Sequence, residues 1–277
     1  MSGAPDDAAV RVFTVRAPSG EAREDAVAAE EPLELRAEGP DGVEHRVAVT
    51  MRTPGHDLEL AAGFFFTEAL LQGREDLASL TPKTLVVANA RGNALTLRLR
   101  ARFDPARLQR NFYATSSCGV CGKSALELVA QRTPTLPPGP VLDPAVLCAL
   151  PARLRAAQAV FARTGGLHAT GLFTADGALV HCREDVGRHN AMDKVLGRAL
   201  LDGLLPLGGC VLQVSGRVSF ELVQKAAMAG VPVLCAVSAP SSLAVDTARR
   251  VGMTLVAFLR GDGFNVYAGP ERIAPRP

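Results

Sequence analysis

The second half of the chain alternates short apolar strands with helices, and this alternation limits the folds that the chain can adopt. The strands predicted at 210–215 and 232–237 are nearly continuous apolar runs. Such strands are buried on both faces, so the sheet needs helices above and below it. A hairpin at 168–184 precedes them and two strands follow at 254–259 and 264–267. The resulting order β-β-α-β-α-β-α-β-β predicts a three-layer α/β/α domain.

The first part of the chain has weaker patterns. Apolar and polar residues alternate over 43–51, which predicts a strand, and a helix over 58–72 follows, capped by Asp57 and with the Phe64-Phe65-Phe66 triplet on its core face. Two more strands, at 83–88 and 94–100, complete a small α+β unit.

Two polar segments and two prolines complete this outline. Residues 1–9 and 17–31, rich in Ala, Glu and Asp, predict a tail and a surface loop. Asp143-Pro144 predicts a helix start, and Pro151 should begin a new helix or kink this one. We expect a small α+β domain with a flexible tail over 1–114 and an α/β domain over 115–277.

Composition excludes several classes of protein. The chain has 30 basic and 28 acidic residues, for a net charge of +2. This balance argues against general nucleic-acid binding, so any anion site must be local. No apolar run reaches about 18 residues, so no membrane span is expected. The first residues do not resemble a signal peptide, and cytoplasm is the expected location.

One pair of cysteines stands out among the six in the chain. Cys118 and Cys121 form a C-x-x-C motif, flanked by glycines and Lys123, just before an apolar helical run at 125–130. The positive end of a helix favours a thiolate there. Six cysteines are too few for a disulfide scaffold, so these two indicate thiol chemistry.

Three chemistries fit such a pair. A dithiol oxidoreductase uses C-x-x-C, but no thioredoxin-like strand precedes this one. A zinc site needs four ligands, and His168, His181 or Cys182 would have to complete it. A sulfur carrier would hold a persulfide on one thiol and release it with the help of the other. The residues alone leave these alternatives open.

Polar loops follow the predicted strands of the second half. Ser215-Gly216-Arg217, Ser238–Ser242 and Phe258–Gly263 each lie where a strand ends. Ligands bind at this edge of open α/β sheets, and helix N-termini and arginines bind phosphate. With Asp262 able to accept the protons of a guanine, a phosphorylated guanine-bearing ligand is a reasonable hypothesis.

Charged residues also flank the predicted hairpin. Arg183, Arg188 and His189 could line an anion site, or they could form ion pairs within the domain. His168 follows two glycines and is either a hydrogen-bonded structural histidine or a proton donor near a thiol.

The thiol motif and many other stretches resemble the formate dehydrogenase accessory sulfurtransferase family, FdhD. The matching stretches are 116–123, 30–35, 51–57, 164–168, 183–190, 214–217, 220–230, 238–245 and 258–267. They cover about residues 30–273, and motifs this long and this many are highly specific.

The resemblance implies a function. Such proteins take sulfur from a cysteine desulfurase and deliver it to the molybdenum or tungsten bis-guanine-dinucleotide cofactor of formate dehydrogenase, their client. By similarity, Cys118 would carry the persulfide and Cys121 would assist or share that role. The resemblance also implies a cytidine-deaminase-like larger domain and a homodimer.

The family's cofactor-binding stretch corresponds to Phe258, Leu259, Arg260, Gly261, Asp262 and Gly263, where a GDP-like nucleotide could also sit. The cofactor would be a bound substrate, and no resident metal is expected. Position 263 is Gly, where we expect Arg in many relatives.

Overall fold

The computed structural model of the protein describes residues 8–78, 86–88, 93–104 and 134–275, which contain three β-sheets. The first is an antiparallel hairpin of β1 (Ala9–Arg16) and β2 (Glu21–Ala28). The second is built from β3 (Glu31–Glu38), β4 (Glu44–Arg52), β5 (Val86–Ala88) and β6 (Ala94–Arg98). Its strand order is β4-β3-β6-β5, with β3 and β6 parallel.

The third sheet has six strands and carries the second half of the chain. Its strands are β7 (His168–Thr174), β8 (Leu179–Asp185), β9 (Cys210–Val214), β10 (Val233–Ala236), β11 (Thr254–Arg260) and β12 (Gly263–Ala268). They lie in the order β12-β11-β10-β9-β7-β8. The strands β9, β10 and β11 are parallel, whereas β7 and β12 run antiparallel to their inner neighbours. The predicted succession of strands and helices is confirmed.

Helices cover both faces of this sheet. The α-helices of the described residues are α1 (Asp57–Thr67), α2 (Pro144–Ala157), α3 (Ala159–Thr164), α4 (Arg188–Leu201), α5 (Phe220–Met228) and α6 (Ser242–Val251). On one face Leu147 and Leu154 of α2 pack with Phe173 and Val211. On the other face, α4, α5 and α6 cover strand residues such as Leu212. The fold is therefore mixed α/β, with the long sheet between helices.

One apolar core extends from the four-stranded sheet into the six-stranded sheet. It includes Leu35 of β3, Phe65 of α1, Val195 of α4 and Leu212 of β9, all fully buried. Helix α1 lies between the two sheets and packs along α4. The proposed division at residue 114 lies outside the described ranges and stays a prediction.

Two expectations for the first part of the chain are wrong. The predicted surface loop over 17–31 is mostly strand β2, because its backbone pairs with β1 from Arg16–Glu21 onwards. The predicted helix over 58–72 ends at Thr67, and Ala69 then adopts a left-handed backbone with φ of 57°. Asp57 does not cap this helix; its carboxylate accepts from Arg52 instead, at 3.0 Å.

The predicted start of α2 is confirmed, and of the two outcomes expected at Pro151, the start of a new helix is wrong. Asp143 caps the helix, since its side chain accepts from the backbone N–H of Ala145 at 2.8 Å. Pro151 lies inside α2 and does not begin a new helix. Burial of Leu147, Leu150 and Leu154 holds the helix against the sheet and offsets the hydrogen bond that the proline lacks.

Within the part of the chain that the structure describes, no helix has both the length and the apolar character needed to cross a bilayer.

Candidate functional site

The loops that follow β9, β10 and β11 lie side by side, at what we call the carboxyl edge of the six-stranded sheet. Backbone hydrogen bonds join them: Phe258 donates to the Ser238 carbonyl at 3.3 Å, and Val218 donates to the Ala239 carbonyl at 3.1 Å. The start of β7 joins the same edge, because Ser215 donates to the Ala169 carbonyl at 3.0 Å. The three polar loops picked out from the sequence are therefore neighbours.

The loop over 258–263 presents most of its residues to solvent. Phe258 has a φ of 52° and is 38% exposed, and the pairing of β11 with β12 is irregular between Ala257 and Arg260. Leu259 is fully buried and anchors the loop. A left-handed backbone is uncommon for a phenylalanine, so the surrounding structure must hold Phe258 in this conformation. In it the ring is partly exposed to solvent.

The side chains of this loop form a short aromatic and cationic surface. The ring of Phe258 lies 6.5 Å from that of Tyr267, centroid to centroid. The Arg260 guanidinium lies 5.9 Å from the Phe258 ring, and its Nε donates to the Val237 carbonyl at 2.9 Å. Asp262 is exposed beside them. An aromatic face, a cation and a carboxylate are groups that can stack on a base, bind phosphate and accept from a guanine.

A second group of basic side chains lies further along the carboxyl edge. We call His168, Arg188 and His189 the cationic cluster. Arg217 is exposed on the loop after β9, next to Gly216. His168 faces the loop after β9, since a Cβ on Gly216 would lie 3.2 Å from its Nδ1. His189 faces the same loop, with Nε2 3.3 Å from the Ser219 hydroxyl.

Two groups at this cluster, His168 and Glu221, have pKa values below their ordinary values. Burial, together with the charges of Arg188 and His189, lowers the pKa of His168 below its ordinary value. Burial opposes ionisation of Glu221, but hydrogen bonds from His189 and Ser219 outweigh it and hold the pKa of Glu221 at about 2. Glu221 is thus a carboxylate that partners His189 at 3.6 Å.

A buried polar network fixes the segment that carries Arg188 and His189. The Lys194 ammonium lies 2.7 Å from the Asp185 carboxylate and donates to the Thr53 carbonyl at 2.8 Å. The other Asp185 oxygen accepts from Gly187 N–H and from the Asn190 amide. Lys194 and Asp185 are at most 1% exposed. The network ties the 51–57 stretch to the 183–190 stretch.

The structure distinguishes the two roles considered for Arg183. It forms an ion pair within the protein, since its guanidinium pairs with Glu59 of α1, partly through an Nη2–Oε1 hydrogen bond of 2.9 Å. Lys194 was not singled out from the sequence. The sequence feature that could have pointed to it is the charged pair Asp193-Lys194 inside an otherwise apolar helical run.

The thiol pair, Cys118 and Cys121, lies outside the described residues, and so does the helix predicted after it. How near the thiols come to the carboxyl edge therefore stays a prediction. Four other cysteines are described. Burial raises the pKa of Cys182 to about 12 and also raises the pKa of Cys210 and Cys235. Cys148 is partly buried against the α2 side of the core.

No cluster of three or more potential metal ligands is found in the described residues. His181, one candidate for completing a zinc site, lies 3.2 Å from Asp202 instead.

Comparison with known proteins identifies the family. A model of the FdhD/NarQ family matches residues 28–274. The chain belongs to this family. A protein named sulfur carrier protein FdhD from Streptomyces coelicolor is 51% identical over 273 residues, covering 96% of this chain and 95% of the relative. One of the same name from Mycobacterium tuberculosis is 52% identical over 263 residues, covering 91% and 92%.

A solved structure extends the likeness to three dimensions. It is a crystal structure from Desulfotalea psychrophila, described as that of a formate dehydrogenase accessory protein. It matches with a TM-score of 0.72 and 25% identity over 96% of this chain and 98% of that one. The fold of this FdhD/NarQ chain is therefore that of a family member along nearly its whole length.

Proposed function

We propose that this protein carries sulfur for formate dehydrogenase. It accepts sulfur from a cysteine desulfurase on Cys118 and transfers it to a molybdenum or tungsten bis-guanine-dinucleotide cofactor before that cofactor enters the enzyme. The names of its relatives support the carrying of sulfur, and the name of its structural neighbour supports a role for formate dehydrogenase.

The observation that carries the proposal is the contrast between the cysteines. A persulfide carrier needs an accessible thiolate. Cys182 and Cys235 are unsuitable because burial raises their pKa values, to about 12 for Cys182. Cys118 and Cys121 have the only C-x-x-C spacing in the chain and stand in a stretch rich in Gly and Ser, next to Lys123.

The transfer balances with these two thiols. The Cys118 thiolate attacks the outer sulfur of the desulfurase persulfide, so a Cys118 persulfide forms and the desulfurase cysteine leaves as a thiolate. The Cys121 thiolate then attacks the inner sulfur of that persulfide. A Cys118–Cys121 disulfide forms, the outer sulfur leaves as sulfide for the acceptor, and an external dithiol later reduces the disulfide.

The loop over 258–263 is the proposed site for the guanine end of the cofactor, which is the substrate here. Exposed Phe258, Arg260 and Asp262 fit a base and a phosphate. We also propose that the six-stranded sheet with its helices is a cytidine-deaminase-like domain, and that the protein acts as a homodimer in the cytoplasm.

Mass spectrometry after incubation with a cysteine desulfurase and cysteine tests the carrier role. Wild type should gain about 32 Da per sulfur atom, as a persulfide does. Cys118→Ala should gain none, while Cys121→Ala should accept sulfur but release it slowly.

Cys210→Ala is the matched control, because it removes a cysteine whose pKa burial raises, and it should label like wild type. Equal labelling of Cys118→Ala and wild type would show that the assignment is wrong. Disulfide exchange with unrelated proteins in the absence of a desulfurase would favour a dithiol oxidoreductase.

A further inference from the structure

The cationic cluster at the carboxyl edge has more positive charge than its protein partners balance. Asp185, the buried carboxylate beside it, is already paired with Lys194 at 2.7 Å. Glu221 pairs with His189 and also accepts from Ser219. Within the described ranges, no carboxylate lies at ion-pair distance from Arg188.

Arg188 is also poorly satisfied as a hydrogen-bond donor. Its Nε is buried and has no hydrogen-bond partner among the described residues. Buried polar atoms nearly always have partners, so an unpaired guanidinium nitrogen indicates a missing acceptor. His168 lies within reach of the Arg188 charge, which disfavours its protonated form.

The helix that begins at Arg188 reinforces this charge. Helix α4 has no acidic residue in its first turn and begins with Arg188 and His189, where negative residues are normally stabilising. Basic residues at this end repel the helix dipole. An anion in front of them would relieve that repulsion and accept from both the side chains and the free backbone N–H groups.

We propose that His168, Arg188 and His189 form a second anion subsite that binds a diphosphate group. The inference rests on the proposed function only in assigning that diphosphate to the guanine-nucleotide substrate. The loop after β9 and the loop after β11 are separated by two strand spacings, about 10 Å. A nucleoside diphosphate can span this distance, with its base at the 258–263 loop and its phosphates at the cluster.

The tight approach of Gly216 to His168 gives the subsite its shape. A Cβ at position 216 would press on the imidazole at 3.2 Å. The glycine therefore lets the ring lie against the loop after β9, beside the Ser219 hydroxyl that contacts His189 at 3.3 Å.

Histidine NMR on the full-length protein tests the subsite directly. The chain has five histidines, so the three outside the cluster, His45, His56 and His181, serve as internal controls. Inorganic pyrophosphate should shift the imidazole signals of His168 and His189 and leave the other three unchanged. Bound anion should also raise the pKa of His168, because negative charge favours imidazolium.

Two arginine variants separate the subsite from surface charge. Arg188→Gln should weaken pyrophosphate binding at least about tenfold, since it removes charge-assisted hydrogen bonds. Arg249→Gln, an exposed arginine on α6, should leave it unchanged. If pyrophosphate shifts neither cluster histidine, or if Arg188→Gln binds it as tightly as wild type, the inference is overturned.

Guanosine, GDP and the variant Arg260→Ala separate this inference from the proposed function. Guanosine should perturb the 258–263 loop without moving the cluster histidines, whereas GDP should affect both. Pyrophosphate binding that persists in Arg260→Ala supports the subsite even if guanosine fails to bind. If Arg188→Gln binds GDP as tightly as wild type does, the subsite is rejected while the proposed cofactor site at 258–263 stands.

Discussion

Gly63 of α1 and Gly197 of α4 pack backbone against backbone where the two helices cross. A Cβ atom at position 63 would overlap the Asp193 carbonyl, and one at position 197 would overlap the Glu59 carbonyl. Each glycine therefore removes the side chain that would hold the helices apart. The crossing brings the four-stranded sheet and the six-stranded sheet around one core.

Substituting either glycine should destabilise the protein. Gly197→Ala should lower the free energy of unfolding by about 1–3 kcal/mol or more, because the methyl group forces two helix backbones apart. Urea denaturation measures this. Gly208→Ala is the control, since a Cβ there meets nothing within 4 Å. Equal stability of the two variants would mean that the helices do not cross at this contact.

The strands that the sequence predicted well are those with near-continuous apolar runs, such as Val211–Val214 and Val233–Ala236. A strand that is buried on both faces needs apolar residues along its whole length, and such a run can be recognised in the sequence. Strand β2 was missed because Glu21–Ala28 is charged and mostly exposed, and only its pairing with β1 makes it a strand. The crossing of α1 and α4 was also not predictable, since two glycines 134 positions apart carry no local pattern.

Lys225 should be among the most costly buried residues to replace. Burial alone would lower its pKa, but the carboxylates of Asp193 and Glu68 raise it to about 12. The ammonium also donates to the Thr67 hydroxyl at 2.9 Å. Lys225→Met should cost about 3–5 kcal/mol of stability, because Asp193 is left buried without its partner.

A double variant identifies the cause of that loss. Lys225→Met with Asp193→Asn should recover part of the stability in urea denaturation, since the orphaned charge is removed. Arg250→Met, at an exposed position of α6, controls for a methionine on a helix. A double variant that is less stable than Lys225→Met alone would contradict this account.

The residues of the candidate site, too, were predictable only where a local sequence pattern marks them. The loops after β9, β10 and β11 were predictable because parallel strands end at one edge. The partner of Arg183 was not predictable, because Glu59 is distant in sequence and lies on another element. Lys194 escaped notice for the same reason: Thr53, which accepts from it, precedes it by 141 residues.

Glu59 should make stability depend on acid pH. Burial opposes its ionisation, but hydrogen bonds from His56 and Arg183 lower its pKa from 4.5 to about 2. As pH falls, the unfolded chain takes up this proton first. The stabilisation is therefore complete above about pH 4.5 and is lost as pH falls towards 2.

The variant Glu59→Gln isolates this effect. Its deficit in free energy of unfolding relative to wild type should be largest at neutral pH and should shrink as pH approaches 2. Exposed Glu30→Gln should show no such convergence. Urea denaturation across this pH range measures both, and a deficit that stays constant with pH would rule out the ion pair as its source.

The cysteines should differ in their rates of alkylation. At neutral pH a thiol whose pKa is about 12, such as Cys182, has almost no thiolate, and Cys235 is fully buried. Iodoacetamide should therefore modify Cys118 or Cys121 well before either of them, as peptide mapping can show. Rates should equalise in denaturant, where burial is lost. Early modification of Cys235 in the folded protein would contradict its placement.

GDP should raise the melting temperature through the loop at 258–263. At a hundred times its dissociation constant a ligand adds about 2.7 kcal/mol, which corresponds to about 5 °C or more for a chain of this size. Arg260→Ala should reduce the shift, because its guanidinium is held beside Phe258 by the Val237 carbonyl. Arg249→Ala, outside the loop, should leave it intact.

Gly263 offers the complementary test. A Cβ there meets nothing within 4 Å and the residue is exposed, so Gly263→Arg adds a cation without displacing a neighbour. The variant should enlarge the GDP shift, because a second guanidinium reaches the phosphates from the same loop. Added salt should reduce this gain. A gain that is equal with guanosine, which has no phosphate, would show that the arginine does not act on phosphate.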